Sequence, residues 1–282
     1  MATASQRRTP RKQAAQKRQT RPKAPQKDRQ FVTGLARGLS VLRCFTSQRT
    51  ELGTTEIARL TGLPQPTVWR LCHTLLKLGY LVPVPEREKV RVGAPVLSLG
   101  YAALANLDYV QVARPQMQEL ADRFSAAVAI AERHRLSMVY LERCQGNSVL
   151  LLNLQVGSRI PLYSSAAGWA YLAALAEDEL ESIFEEMKQV AGKAWAKERK
   201  LIDAARDFYA EHGFVVNSGV QHPGLIAVAV PVSPPGGGLV AMNLTTWNSG
   251  PTEKMMLEKA GPALRHLARL LEAQDPRQGR EG

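Results

Sequence analysis

The chain is 282 residues long, 45% apolar and 22% charged, enough for about two globular domains and unlike a small disulfide scaffold. No run of about 18 apolar residues occurs and the N-terminal segment has no apolar stretch. Neither a spanning helix nor a secretory signal is therefore expected. Net charge is +12 and unevenly spread: residues 1–30 hold ten Lys/Arg against one acid, 31–100 nine against four, and 101–282 eighteen against twenty. A basic front and a near-neutral rear point to a polyanion-binding module joined to something else. Cys44, Cys72 and Cys144 are odd in number and far apart. That spacing argues for a reducing, cytoplasmic setting and against a disulfide framework or zinc site.

Residues 1–30 lack Leu, Ile, Val, Phe, Tyr and Trp. Such a segment cannot offset its ordering entropy, so a disordered basic tail is expected. It reads as a phosphate-contacting arm or as a solvated tail, and the domain that follows favours the arm. Leu35, Leu39, Leu42 and Phe45 then recur at helical spacing, predicting an amphipathic helix over 34–48. A short helix follows to Thr61, with Gly53 as N-cap, Glu56 in the capping-box position and Gly62 as the stop. A proline turn at 63–66 leads into a third helix over 66–78, burying Val68, Leu71, Cys72, Leu75 and Leu78 and closed by Gly79. Runs 80–84 and 89–92 read as two strands around a turn at 85–88. Three helices and a hairpin make a winged helix-turn-helix, whose third helix enters the major groove of DNA.

The candidate DNA contacts are Gln65, Thr67, Trp69, Arg70, His73 and Lys77 on that helix, with Arg87 and Lys89 in the wing. A guanidinium such as Arg70 can grip a phosphate or read guanine bidentately. Trp69 fits equally a contact to DNA or packing against the wing. Cys44 and Cys72 fall on apolar helix faces and read as buried structural residues.

The run EIARLTGLPQPTVWRL from Glu56 to Leu71, continued by LLKLGYL at 75–81, resembles the DNA-binding half of IclR-type transcriptional regulators. The runs IPLYSSAAGWAYLA at 160–173 and GLIAVAVPV at 224–232 resemble the effector half of that family. The likeness covers about 31–272. Trp169 stands where the family usually has Lys or Arg, Val90 where Tyr is commoner, and Asn217-Ser218 where an acidic pair is usual. The resemblance implies a linker helix that joins the domains and helps dimerise, and a GAF-like effector domain.

In the rear half, Leu97, Leu99, Leu104 and Leu107 are spaced for a helix that buries one side. Asp108 is placed to cap a further segment reaching Phe124. Strands are expected at 126–132, 138–142, 149–155, 227–232 and 239–245. Helices are expected at 167–176, 177–190 and 198–212, with a last one capped by Thr252. The fold class is α+β: an N-terminal winged helix-turn-helix joined by a linker helix to a GAF-like antiparallel-sheet effector domain. The expected division is a tail at 1–30, the winged domain at 31–95, the linker at 96–116, the effector domain at 117–273 and a tail at 274–282.

Five histidines lie too far apart to form a local ligand pair, and no phosphate loop or nucleophile elbow occurs, so no metal, cofactor or catalytic residue is expected. Residues 165–168 precede a helix, whose unpaired amides favour a carboxylate. Carried over from the resemblance, the effector site comprises the amides of Ala166 and Ala167 with Asn217, Ala227, Asn243 and Thr245. Asn243 and Thr245 alternate onto one strand face. The competing reading is that Ala166-Ala167-Gly168 only permits close helix–sheet packing. The resemblance therefore implies a ligand-responsive DNA-binding regulator, dimeric or tetrameric, that answers to a small organic acid, aromatic ones included. An architectural nucleic-acid binder and an enzyme with an accessory DNA-binding domain are the rival classes.

Overall fold

The computed structural model describes residues 30–147, 154–249 and 252–273. The basic tail, most of the strand expected over 149–155 and the C-terminal tail lie outside the described residues.

The front unit contains α1 (Thr33–Leu42), β1 (Glu51–Leu52), α2 (Thr54–Thr61), α3 (Gln65–Lys77), β2 (Leu81–Pro83) and β3 (Val90–Val92). Glu56 accepts the Gly53 amide at 2.9 Å, the return half of a capping box, since Gly53 has no side chain to supply the other half. Gly62 ends α2 at φ +68°, a left-handed cap that costs glycine little. Val41, Cys44, Ile57, Val68, Cys72 and Leu81 close one core beneath the three helices.

Two expectations fail here for visible reasons. Helix α1 stops six residues short of 48, because 46–50 is wholly polar and turns back through a Thr46–Arg49 bridge. The chain then enters β1, which makes the wing a three-stranded sheet of order β1-β3-β2 rather than a hairpin. Leu78, expected in the core, lies just past α3 and is 61% exposed.

Helices α4 (Pro95–Leu104) and α5 (Asp108–Arg123) follow. Leu107 occupies the N-cap position of α5, and Asp108 serves instead as a first-turn acid. Helix α5 buries Tyr109, Val110, Ala113, Met117 and Leu120. Among the described residues no side chain of helix α4 is fully buried: Val96 and Leu104 are half-buried and Leu97 and Tyr101 are each 75% exposed, short of the one-sided burial expected.

The rear sheet contains β4 (Ala127–His134), β5 (Ser137–Gln145), β6 (Arg159–Pro161), β7 (Val215–Ser218), β8 (Leu225–Val232) and β9 (Val240–Trp247). Their order is β6-β5-β4-β9-β8-β7, and every pairing is antiparallel. One face carries Val128, Ile130, Val228, Val230, Met242 and Leu244 and packs on α5 and α10 (Gly261–Glu272). Helix α10 continues from α9 (Thr252–Met255) through a π turn at Met256–Ala260. The other face carries Ala129, Ala131, Ala227, Ala229 and Ala241 and meets α6 (Ala166–Ala173), α7 (Glu177–Ala191) and α8 (Trp195–His212). Branched side chains fill one side of the sheet, and alanines leave room on the other.

That room is taken up at one point by close approach. A Cβ on Gly168 would overlap the Leu162 carbonyl, so α6 starts flush against the backbone leading into it. Trp169 beside it is 3% exposed and donates its indole N–H to the Tyr163 carbonyl at 2.7 Å. Gly168→Ala should lower stability by about 1–3 kcal/mol, the usual cost of overpacking. Chemical denaturation reads this directly, and an unchanged midpoint would mean that α6 is not seated on Leu162.

Candidate DNA-binding face and ligand cavity

The outward face of α3 presents Gln65, Trp69, Arg70, His73 and Lys77, all exposed, with Thr67 half-buried. The Trp69 and His73 rings stack at 5.5 Å with an interplanar angle of 15°. Trp69 is 59% exposed and lies outside the winged core, so it is not folded under the wing. Arg70 makes no ion pair among the described residues. Gln65 is partly engaged, donating to Thr55 Oγ1 at 3.1 Å. In the wing, Arg87 pairs with Glu51 at 2.9 Å and Lys89 with Glu56 at 3.8 Å. Exposed pairs of this kind are weak, about 0–1 kcal/mol, and can yield to a phosphate. Burial raises the pKa of the Cys44 and Cys72 thiols, which suits packing and not redox chemistry.

A cavity of about 300 Å³ opens on the alanine face of the rear sheet. Strand register explains its floor. Asn217 pairs with Ala227, Ala227 with Thr245, and Thr245 with Ala127, giving one transverse row. Ala229, Asn243, Ala129 and Arg143 form the next row. A β-bulge at Leu141 shifts the register between Ile130 and Ala131. It turns both Tyr140 and Arg143 towards the cavity, although they are three residues apart.

The polar groups on this floor are incompletely satisfied. Asn243 is 4% exposed, and its Nδ2 donates to Thr245 Oγ1 at 3.0 Å. Its Oδ1 is buried without a hydrogen-bond partner. The buried Tyr140 hydroxyl meets the Asn243 side chain; burial drives the pKa of that phenol up, and the hydrogen bond with Asn243 offsets part of the rise. Asn217 is already at work: its Nδ2 donates to the Ser164 carbonyl at 2.8 Å and its Oδ1 accepts the amides of Val220 and Gln221. The charged lining residues are Arg143 and Arg159, neither of which the sequence reading singled out. Burial leads the causes that lower both guanidinium pKa values, so their charges are poorly solvated.

The expected helix-start amides fall elsewhere. Asn217, Ala227, Asn243 and Thr245 line the cavity, but Ala166 and Ala167 do not, being 2% and 1% exposed within the core. The Ser165 hydroxyl accepts the Gly168 amide at 3.1 Å and donates to the Pro161 carbonyl at 2.6 Å, so the chain itself caps one of the helix-start amides. A wider cleft of about 620 Å³ lies between α6, α8 and α10, with two of its charged side chains engaged by the chain itself. There Arg265 donates to the His212 carbonyl and Glu272 accepts the Ser233 amide.

The profile described as "Bacterial transcriptional regulator IclR C-terminal" matches residues 101–273, and that of the "IclR helix-turn-helix domain" matches 34–85. The chain belongs to the IclR family. Its members named among the matches are transcriptional regulators, not enzymes. The IclR chain is 34% identical over 254 residues to the HTH-type transcriptional regulator TsaQ1/TsaQ2 of Comamonas testosteroni, covering 86% of this chain and 88% of that protein. It matches the crystal structure of an IclR family transcriptional regulator from Brucella abortus at TM-score 0.82 and 40% identity, over 91% of this chain and 97% of that one. An IclR homologue from Microbacterium hydrocarbonoxydans, solved with 4-hydroxybenzoate, matches at TM-score 0.65 and 23% identity over 84% and 99%. At that identity the likeness is one of fold.

A buried acceptor without a donor costs about 1–3 kcal/mol. Asn243→Leu removes that cost together with the bond to Thr245 and the contact with Tyr140, so the ligand-free variant should stay folded with a melting temperature close to the parent's while losing its response to ligand. Calorimetry with and without ligand checks both halves, and a folded variant that still responds would contradict the assignment.

Proposed function

We propose that this regulator binds duplex operator DNA through α3 and the wing and changes that binding when a small organic acid enters the rear cavity. The observation that carries the reading is a buried, partnerless Asn243 Oδ1 in a cavity whose charged lining is wholly cationic. A monocyclic acid suits about 300 Å³: its anionic group meets an arginine, its ring lies on the alanine floor, and a donor satisfies Asn243. In this reading residues 31–95 form the DNA-binding unit and 117–273 the sensor, while the basic segment 1–30 adds phosphate contacts. Gln65, Thr67, Trp69, Arg70, His73 and Lys77 are the groove-facing set, with Arg87 and Lys89 supporting them from the wing. Asn217, Ala227, Asn243 and Thr245 form the polar and open parts of the sensor site.

We also propose that the working unit is a homodimer, or a dimer of dimers, assembled through α1 and α4. Phe31, Val32 and Leu35 are each more than 60% exposed, and Leu97 and Tyr101 are 75% exposed. Exposed apolar residues of this kind, at the start of the winged domain and on the domain connection, are what a second copy would cover. Two copies would present two α3 helices to half-sites about one helical turn apart.

Arg70→Ala should weaken binding to a selected operator by about 1–3 kcal/mol, with a smaller loss on scrambled duplex. Fluorescence anisotropy on both duplexes decides this, and unchanged operator affinity would remove Arg70 from the interface. The double variant Leu97→Glu/Tyr101→Glu should sediment as a smaller species than the parent chain while keeping its fold. If both sediment alike, α4 is not the assembly face.

A further inference from the structure

Gln48, in the 46–49 turn of the winged domain, stands on the wall of the same cavity as Asn243 and Arg143. We infer that the ligand site is composite: an anion held by Arg143 and Arg159 is also touched by the winged domain of the same chain, through Gln48, and so bridges the two domains. This inference rests on the sensor reading above and adds how the signal leaves the pocket.

The charge pattern at the junction supports the bridge. Arg159 Nη1 lies 3.4 Å from His134 Nδ1. Burial first, then the charges of Arg43 and Arg135, hold the Arg159 guanidinium below its ordinary pKa. Burial first, then Arg159, Arg43 and Arg135, does the same to His134. Arg43 caps α1 and so belongs to the winged domain. None of Arg43, Arg135, Arg143 and Arg159 makes an ion pair among the described residues. Glu186 stands across a neighbouring open cleft from Arg159 and Arg135 without pairing to either.

Two domains therefore meet with like charge on both sides. An empty pocket leaves that repulsion uncompensated, which loosens the 46–49 turn from the sensor. An anion beside Arg159 supplies the missing negative charge at the point where Gln48 can donate to it. Ligand occupancy is then transmitted by direct contact to the end of α1, and α1 packs on α3 in the winged core. The ligand class follows: one carboxylate or sulfonate group, with an uncharged isostere unable to close the junction.

Hydrogen exchange on the full chain reads both halves at once, with benzoate as probe and benzamide as its neutral control. Benzoate should slow exchange in β9 and in the 46–49 turn, while benzamide should leave the turn unchanged. Arg159→Gln should weaken benzoate about tenfold, the loss of one charge-assisted hydrogen bond. Arg43→Glu supplies the absent acid from the winged side, so its turn should be protected without ligand and gain nothing further from benzoate. Slowing confined to β9 would leave the sensor reading intact and overturn the bridge. A turn as open in Arg43→Glu as in the parent chain would overturn it whatever the probe does. Silence from benzoate in β9 as well would count against the sensor reading itself.

Discussion

The structure turns on the difference between the two faces of one antiparallel sheet. Side chains alternate along a strand, so β4, β8 and β9 can each fill one face with Val, Ile, Leu or Met and the other with Ala. The branched face supports α5 and α10 as an ordinary core. The alanine face does two things that larger residues would prevent. It lets α6 start against backbone at Gly168, and it leaves a floor on which Asn243 and Thr245 stand above small neighbours. A register slip of one residue in any of these strands would exchange the faces and remove the cavity.

Much of this was legible in the sequence, for physical reasons that can be named. The α2 boundaries were readable because Gly53, Glu56 and Gly62 each have a local backbone role. The shared face of Asn243 and Thr245 followed from the period of two alone. Strands β1 and β6 were missed because two or three residues carry no periodicity, and β7 is only four residues long. Arg143 was missed because its orientation depends on a bulge, which shifts the alternation by one residue and leaves no mark in composition. Ala166 and Ala167 stand outside the cavity lining, and from sequence a helix start reads as an anion site whether it faces a cavity or a core. Only the three-dimensional contact with Leu162 and the Ser165 cap distinguishes the two.

The apolar residues of α1 and α4 teach a related lesson. Helical spacing of Leu35 and Leu39, or of Leu97 and Leu104, predicts an apolar stripe but not what covers it. Within one chain most of that stripe stays in water. Burying it against a second copy would join the DNA-binding units through their most exposed surface. The relative placement of the two α3 helices would then depend on how each winged domain rests on its own sensor. On the composite-site proposal, charge repulsion at Arg43, Arg135 and Arg159 would set that resting position in the absence of an anion.

On the proposed function, occupancy of the alanine-floored cavity controls the α3 face. The direct measurement is operator affinity during titration with monocyclic carboxylates, comparing the parent chain with Ala227→Leu, which fills the cavity from its floor. The two proteins should bind operator with equal affinity in the absence of ligand. Ligand should change the affinity of the parent chain about five-fold or more, within the usual range of allosteric coupling, and leave that of the filled variant unchanged. An undiminished ligand response in a folded Ala227→Leu protein would contradict the proposal.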